Sequence, residues 1–177
     1  MHVHPAELAD INTCYYLSMS YTTDYVWQMR TEESKRTIDV HFDTVRLPRG
    51  MRVQYPRSPD ELIEHWQESG CFLVIRNFED KVIGFLDAHP RPWQNLLWVS
   101  NLVIDSSYRR QGFGTKLMNS ASQWAMEQNL RQLTLEVQTK NHPAISFAQK
   151  LGFQFCGYNE RYYPNGDIAL FFSRSSW

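Results

Sequence analysis

The sequence predicts one α/β domain, a mixed sheet with helices packed on its faces. Three observations lead there. The chain has 177 residues, enough for one domain with a real core and too few for two. Apolar runs of strand length alternate with segments of helical period. No repeat, low-complexity tract or linker interrupts them, so residues 1–177 read as a single unit. Composition narrows the class further. With 18 Lys+Arg against 19 Asp+Glu the formal charge is −1, which argues against coating nucleic acid or an anionic membrane but leaves a local anion site open. Aromatic residues make up 14% of the chain, enough either to fill a core or to line a pocket.

Each element has its own justification. Pro5 to Leu17 carries Leu8, Ile11, Tyr15 and Leu17 at helical spacing. Tyr21 to Tyr25 reads as a polar-aromatic loop before a strand over Val26 to Met29. Thr37 to His41 alternates, with Thr44 to Leu47 as its hairpin partner, and Met51 to Tyr55 is another short extended run. Ser58, Pro59 and two acids open a helix that runs through Leu62, Ile63 and Trp66 to Gly70. Cys71 to Ile75 and Val82 to Ala88 form an apolar antiparallel hairpin. Leu96 to Ile104 is a long strand, and the helix after it presents Leu117, Met118, Ala121, Trp124 and Ala125 on one face until Asn129. Leu133 to Val137 is the next strand, and Ala144 to Leu151 a helix ended by Gly152. Phe153 to Gly157 and Ile168 to Phe172 close the sheet around a Pro-Asn-Gly-Asp turn.

The chemistry concentrates at the junction of the long strand and its helix. Gly112 and Gly114 stand where the first amides of that helix have no backbone partner. Missing side chains let an anion approach, the helix dipole favours it, and Arg109, Arg110 and Lys116 add charge. A phosphate or pyrophosphate is the natural partner. The spacing is neither a nucleotide P-loop nor a dinucleotide fingerprint, which needs a third glycine where Leu117 stands. A plain tight turn is the competing reading of an isolated Gly-x-Gly.

The wider run resolves that choice. Leu102-Val103-Ile104-Asp105, followed by Arg109-Arg110-Gln111-Gly112-Phe113-Gly114, resembles the acetyl-coenzyme A signature of the GCN5-related N-acetyltransferase (GNAT) family. The later run Asn141-His142-Pro143-Ala144-Ile145-Ser146-Phe147-Ala148-Gln149-Lys150-Leu151-Gly152-Phe153 matches a second element of that family except at Ala148, where the family has tyrosine. The resemblance covers about Cys71 to the C-terminus, the expected acetyl-CoA-binding core. Leu135 to Asn141 and Gly166 to Phe172 look like the streptothricin acetyltransferase branch.

The resemblance implies a GNAT-like domain in which the strand through Leu102, Val103 and Ile104 splays from the strand through Glu136. Pantetheine would lie between them. The amide of Val103 would hold the oxyanion, and the amides of Gln111, Gly112, Phe113, Gly114 and Thr115 the pyrophosphate beside Arg109 and Arg110. Asn141 would bond the pantetheine, and Phe147 would pack on the cofactor or on the sheet. The expected activity is acetyl transfer from acetyl-CoA to a primary amine of a small molecule or an amino-bearing antibiotic. Acetylation of a protein N-terminus or lysine is the alternative, and an acyl-CoA-binding sensor a third.

An amine is almost wholly protonated at neutral pH, so a base or a water relay must free its electron pair. The family's usual glutamate position is Ser100 here, next to Asn101. Asp87 and Glu136 are the carboxylates on neighbouring strands. Tyr158 and Tyr162 are candidate acids in place of the tyrosine missing at Ala148. Tyr21, Asp24, Tyr25, Trp27 and Tyr163 could wall an acceptor pocket for a cationic amine.

Other constellations read as bland. The six histidines, among them His65, His89 and His142, show no metal spacing such as HExxH. Arg46, Arg49, Arg52 and Arg57 read as a solvated face rather than a nucleic-acid track. Cys14, Cys71 and Cys156 are too scattered for a disulfide framework or a metal knuckle. The first residues lack the basic and apolar regions of a secretory signal, and no apolar run nears the roughly 20 residues of a membrane span. A cytoplasmic protein is expected, with no metal, membrane or nucleic-acid partner; the family admits a homodimer.

Overall fold

A computed structural model describes residues 2–68 and 70–176. In chain order the elements are β1 (Val3–Pro5), α1 (Leu8–Tyr16), β2 (Tyr21–Glu33), β3 (Ile38–Val53), α2 (Glu61–Glu68), β4 (Cys71–Arg76), β5 (Val82–Arg91), β6 (Leu96–Ile104), α3 (Phe113–Glu127), β7 (Gln132–Gln138), α4 (His142–Lys150), β8 (Gln154–Asn159) and β9 (Ala169–Ser175). Among the described residues a seven-stranded sheet runs β1-β4-β5-β6-β7-β9-β8, and β2 with β3 forms a separate ribbon. Neighbours in the main sheet are antiparallel except β6 and β7. This is the mixed α/β architecture expected from the sequence.

Two cores cover the two faces of the sheet. Leu117, Met118, Ala121 and Ala125 of α3 and Ile145 and Ala148 of α4 bury against Ile75, Leu86, Leu97 and Leu133 on one face. Ile11 and Cys14 of α1 and Leu62 of α2 bury against Phe72, Val74, Phe85 and Val103 on the other. Strands β4 and β5 feed both clusters, so their sequences are nearly unbroken apolar runs.

One irregularity positions the site. Asp87 pairs with Asn101 but Ala88 pairs with Val99, so Ser100 is an extra residue in β6. Such a bulge bends the strand and flips its alternation. Leu97 and Val99 point to the α3 face before it, and Leu102 and Ile104 do so after it. At the same point β6 parts from β7. Their parallel ladder runs from Leu96↔Gln132 to Val99↔Leu135 and ends there, while β6 continues to Ile104 and β7 to Gln138. The splay expected from the resemblance therefore opens between Leu102–Ile104 and Glu136–Val137.

The N-terminal third differs from its sequence reading. Tyr21 to Tyr25 is strand rather than loop, and Thr37–His41 and Thr44–Leu47 do not pair with each other. Apart from Thr37 both lie within β3, which pairs with β2 from Tyr21↔Val53 to Glu33↔Ile38. The ribbon is mostly exposed and polar, so it carries little of the apolar alternation by which strands are recognised. Trp27 N–H donates to the Thr139 carbonyl at 2.9 Å, and the Phe42 ring meets Phe155 and Tyr158. In α1 the buried side is Asp10, Ile11 and Cys14, while Leu8 and Tyr15 face out. Asp10 decides this orientation: it accepts from the Glu7 amide at 2.9 Å and pairs with Arg76 at 2.7 Å.

Gly84 lets β5 hold the free end of β6. A Cβ there would stand 2.5 Å from Ile104 Cδ1 and 2.7 Å from the Val103 carbonyl oxygen. Gly84→Ala is expected to lower stability by about 1–3 kcal/mol, read from urea midpoints at constant m-value.

Candidate functional site

The strand-to-helix turn is built as an anion cradle. Asp105 accepts from the Ser107 amide at 2.9 Å, which rounds the chain out of β6. Arg110 and Gly112 take positive φ values of 65° and 86°. The latter strains any residue with a side chain, although open space surrounds the place where a Cβ would stand. No side chain caps α3, and its first intrahelical bond is Lys116 N–H to Gly112 O at 3.1 Å. The amides of Phe113, Gly114 and Thr115 precede that bond and face outward. Gly114 lies under Phe147, whose Cζ would be 3.3 Å from an added Cβ. Gln111 donates its side-chain amide to the Ser107 carbonyl at 3.1 Å.

Arg109 does something the sequence did not suggest. Its guanidinium donates to the carbonyls of Ile104 at 2.8 Å, Ser20 at 2.9 Å and Ser18 at 2.7 Å. It clamps the loop to the root of β2, and the exposed cations at the cradle are Arg110 and Lys116. Asn141 caps α4, its Oδ1 accepting from the Ala144 amide at 3.1 Å.

Backbone pairing also corrects the expectation for Val103. Asp105 N–H donates to Ile83 O at 2.8 Å. Antiparallel alternation then turns the Val103 amide toward Phe85 on β5 and the amides of Leu102 and Ile104 into the splay. The amides that face the opening are therefore those of Leu102 and Ile104, and not that of Val103.

On the α1–α2 face lies a layer of polar groups. Asp87 is fully buried. Its Oδ2 accepts from Asn101 Nδ2 and meets His65 Nδ1, each at 2.7 Å, and His89 Nε2 is 3.3 Å from Oδ1. That last approach is too poorly directed for a hydrogen bond, which leaves Oδ1 without one. Tyr55 donates to Asn101 Oδ1 at 2.7 Å. Burial opposes the charge on Asp87, but the bond from His65 and the attraction of His89 and His65 outweigh it and hold the carboxyl well below its ordinary range. The same contact raises His65.

Glu136 anchors the other half. Its side chain is 1% exposed and ion-pairs with Arg57, whose Nε lies 3.1 Å from Oε1. Trp98 donates to Oε2 at 2.7 Å and Tyr162 at 2.6 Å. Burial and this bond push the Tyr162 hydroxyl up to about 12. Gln138 follows on the same strand face, accepting from Tyr21 at 2.8 Å and donating to Asp167 at 2.7 Å. Tyr163 is buried with its ring edge-on to Tyr162.

The structure thus gathers Asp87, Glu136, Tyr162, Tyr163 and Tyr21 on one face. It places four other candidates elsewhere. Tyr158 packs on Phe42, Asp24 is exposed at the β2 irregularity, and Tyr25 and Trp27 both lie against His142, the latter through a 3.1 Å bond. Sequence reasoning missed Arg57, which had read as solvated, and His65 and His89. Asp87 and His89, two apart on one strand, were a signal for half of that cluster.

Comparison with known proteins fits this geometry. Residues 27–153 match the profile of the Acetyltransferase (GNAT) family. The chain belongs to the GNAT family. A streptothricin acetyltransferase of Streptomyces lavendulae is 32% identical over 110 residues, 60% of this chain and 58% of that one. An N-alpha-acetyltransferase of Sulfolobus acidocaldarius is 28% identical over 160 residues, 78% of this chain and 94% of that one. The crystal structure of nourseothricin acetyltransferase superposes with a TM-score of 0.83 at 24% identity, covering 99% of this GNAT chain and 98% of that one. The chain spans about half the length of the first curated relatives it matches. No helix among the described residues is long and apolar enough to cross a membrane.

Removing Arg57 strands a buried carboxylate. Arg57→Met is expected to destabilise the fold by about 3 kcal/mol, and the double variant Arg57→Met/Glu136→Gln by less, measured by chemical denaturation.

Proposed function

We propose that the protein transfers the acetyl group of acetyl-CoA to a primary amine on a small cationic molecule, an amino-bearing antibiotic of the streptothricin kind. The observation that carries this reading is the acidic face beside the splay. Asp87 and Glu136 are both buried there, and the Arg57 guanidinium already rests on Glu136. A face that already holds two guanidiniums, Arg57 on Glu136 and Arg91 at 3.9 Å over the Trp98 ring, suits an ammonium group. The segment carrying Tyr55 and Arg57 and the loop carrying Tyr162 and Tyr163 close over this face, which favours a compact acceptor over an extended peptide. The likeness in fold to nourseothricin acetyltransferase runs through both segments.

The residues fit acetyl-CoA as donor. The uncapped amides of Phe113, Gly114 and Thr115, with Gln111 and Gly112 before them, would hold the pyrophosphate, and Arg110 and Lys116 would add charge. The splay leaves the amides of Leu102 and Ile104 free of β7 for the pantetheine arm and the acyl oxygen. Phe147 and Asn141 border that opening from α4. When bound, acetyl-CoA supplies an electrophilic thioester carbonyl. Tyr162 is an unsuitable acid for the departing thiolate: its hydroxyl, pushed up to about 12, donates to Glu136 instead. Water supplies that proton, since a thiol titrates near about 8.5.

Two measurements test the reading. Arg110→Glu/Lys116→Glu should weaken acetyl-CoA binding about tenfold in low-salt calorimetry, with the difference shrinking at high salt. Unchanged affinity would move the pyrophosphate elsewhere. Thiol release should appear with a streptothricin and fail with an alanine-initiated peptide; the opposite preference would establish an N-terminal acetyltransferase, the activity named for the Sulfolobus relative.

A further inference from the structure

Acetyl transfer to an ammonium needs a group that removes its proton, and the carboxylates singled out in the sequence are both engaged. Glu136 is covered by Arg57, Trp98 and Tyr162. Asp87 is fully buried behind Asn101 and His65. His65 is in a different situation. It stands on α2 with its side chain 20% exposed, and Nδ1 lies 2.7 Å from Asp87 Oδ2. Among the described residues nothing bonds its other ring nitrogen, Nε2. A carboxylate on Nδ1 fixes the tautomer with hydrogen there and leaves the Nε2 electron pair available.

The place is also right. Asp87 is the register partner of Asn101, next to the Ser100 bulge where β6 leaves β7 and the amides of Leu102 and Ile104 become free. Its side chain connects that point to His65 by one hydrogen bond on each side. His89, two residues along β5, meets the His65 ring edge-on at 5.0 Å.

We propose that His65 is the proton acceptor for the amine and that Asp87 is its positioning residue. The inference rests on the amine-acetyltransferase reading above. One proton passes from the ammonium nitrogen to His65 Nε2, giving an imidazolium paired with Asp87, and the nitrogen keeps the electron pair. The C–N bond forms as the C–S bond of the thioester breaks. The amide nitrogen's second proton goes to water, and the thiolate takes one from water.

Charges reach His65 from several elements. Asp87 and His89 face it from β5, Arg57 from the segment before α2, and Glu61 from one turn earlier on α2; Asp60, bonded to Tyr15 of α1, lies at the start of the helix. The hydrogen bond and charge of Asp87 raise His65 above its ordinary value against burial and Arg57. Activity should therefore rise with pH through that raised value, because only neutral imidazole accepts a proton. Asp87→Asn removes the anion that favours imidazolium, so the acid limb should move to lower pH.

The experiment follows thiol release from acetyl-CoA with a streptothricin as acceptor, alongside 15N-resolved titration of His65 in the free protein. His65→Ala should lose about 10²–10⁴-fold in kcat and regain part of it with added imidazole. His65→Gln, which keeps a donor for Asp87, should melt like wild type and be as inactive as His65→Ala without imidazole. The titration should show the Nδ1–H tautomer, with a midpoint lowered in Asp87→Asn. If His65→Gln keeps wild-type kcat and its acid limb, His65 is not the base. If a chelator abolishes wild-type activity and zinc restores it, the His65, Asp87 and His89 cluster is a metal site and the proposal fails. If wild type releases no thiol with any amine while still binding acetyl-CoA, the amine-acetyltransferase reading falls first and the base assignment with it.

Discussion

Where β6 lets go of β7, a sheet ordinarily closed by hydrogen bonds acquires two rows of backbone groups with no partner across the gap. Such groups are costly to bury, so the opening persists only because the strands are held from outside. β5 holds β6 as far as Ile104, and β9 holds β7 through Val137 and Gln138. The Ser100 bulge supplies the bend. The uncapped start of α3 lies beyond the end of β6, and the buried carboxylates of Asp87 and Glu136 stand beside the mouth of the gap.

The two sides of the gap are made by different physics. The cradle is backbone: amides at a helix start, a glycine at φ 86°, and no capping side chain. The opposite face is side chains, and each buried charge there is satisfied by a specific neighbour. Replacing water around a carboxylate requires several donors, and Glu136 has three residues giving them. Asp87 has Asn101 and His65 on one oxygen while the other keeps only the distant approach of His89.

The sequence was most legible where burial on both faces left an unmistakable pattern. Strands β4 and β6 appear with the bounds the apolar runs implied, apart from one residue at the end of β4, and α3 buries the face read from its period. The β2–β3 ribbon was obscured because it is polar and mostly exposed, and so were the ends of α1, where Asp10 rather than Leu8 turns inward. In the site, Glu136 and Asp87 stood out as carboxylates on the right strands. Arg57 and His65 did not, because their partners lie 79 and 22 residues away in sequence and no local spacing encodes either contact. The clamp made by Arg109 was hidden for a related reason: its three carbonyl partners are backbone groups, which have no signature in a sequence.

The β2–β3 ribbon is joined to the rest by few contacts, among them Trp27 with Thr139 and His142, and Phe42 with Phe155 and Tyr158. It adds no strand to the main sheet. Exposed substitutions along it therefore cost little in folding, typically within about 0.5 kcal/mol, while the segment that leaves it delivers Tyr55 and Arg57 to the acidic face. Variation at its exposed positions can accumulate without disturbing the seven-stranded sheet, whose bend at Ser100 is set by contacts the ribbon does not make.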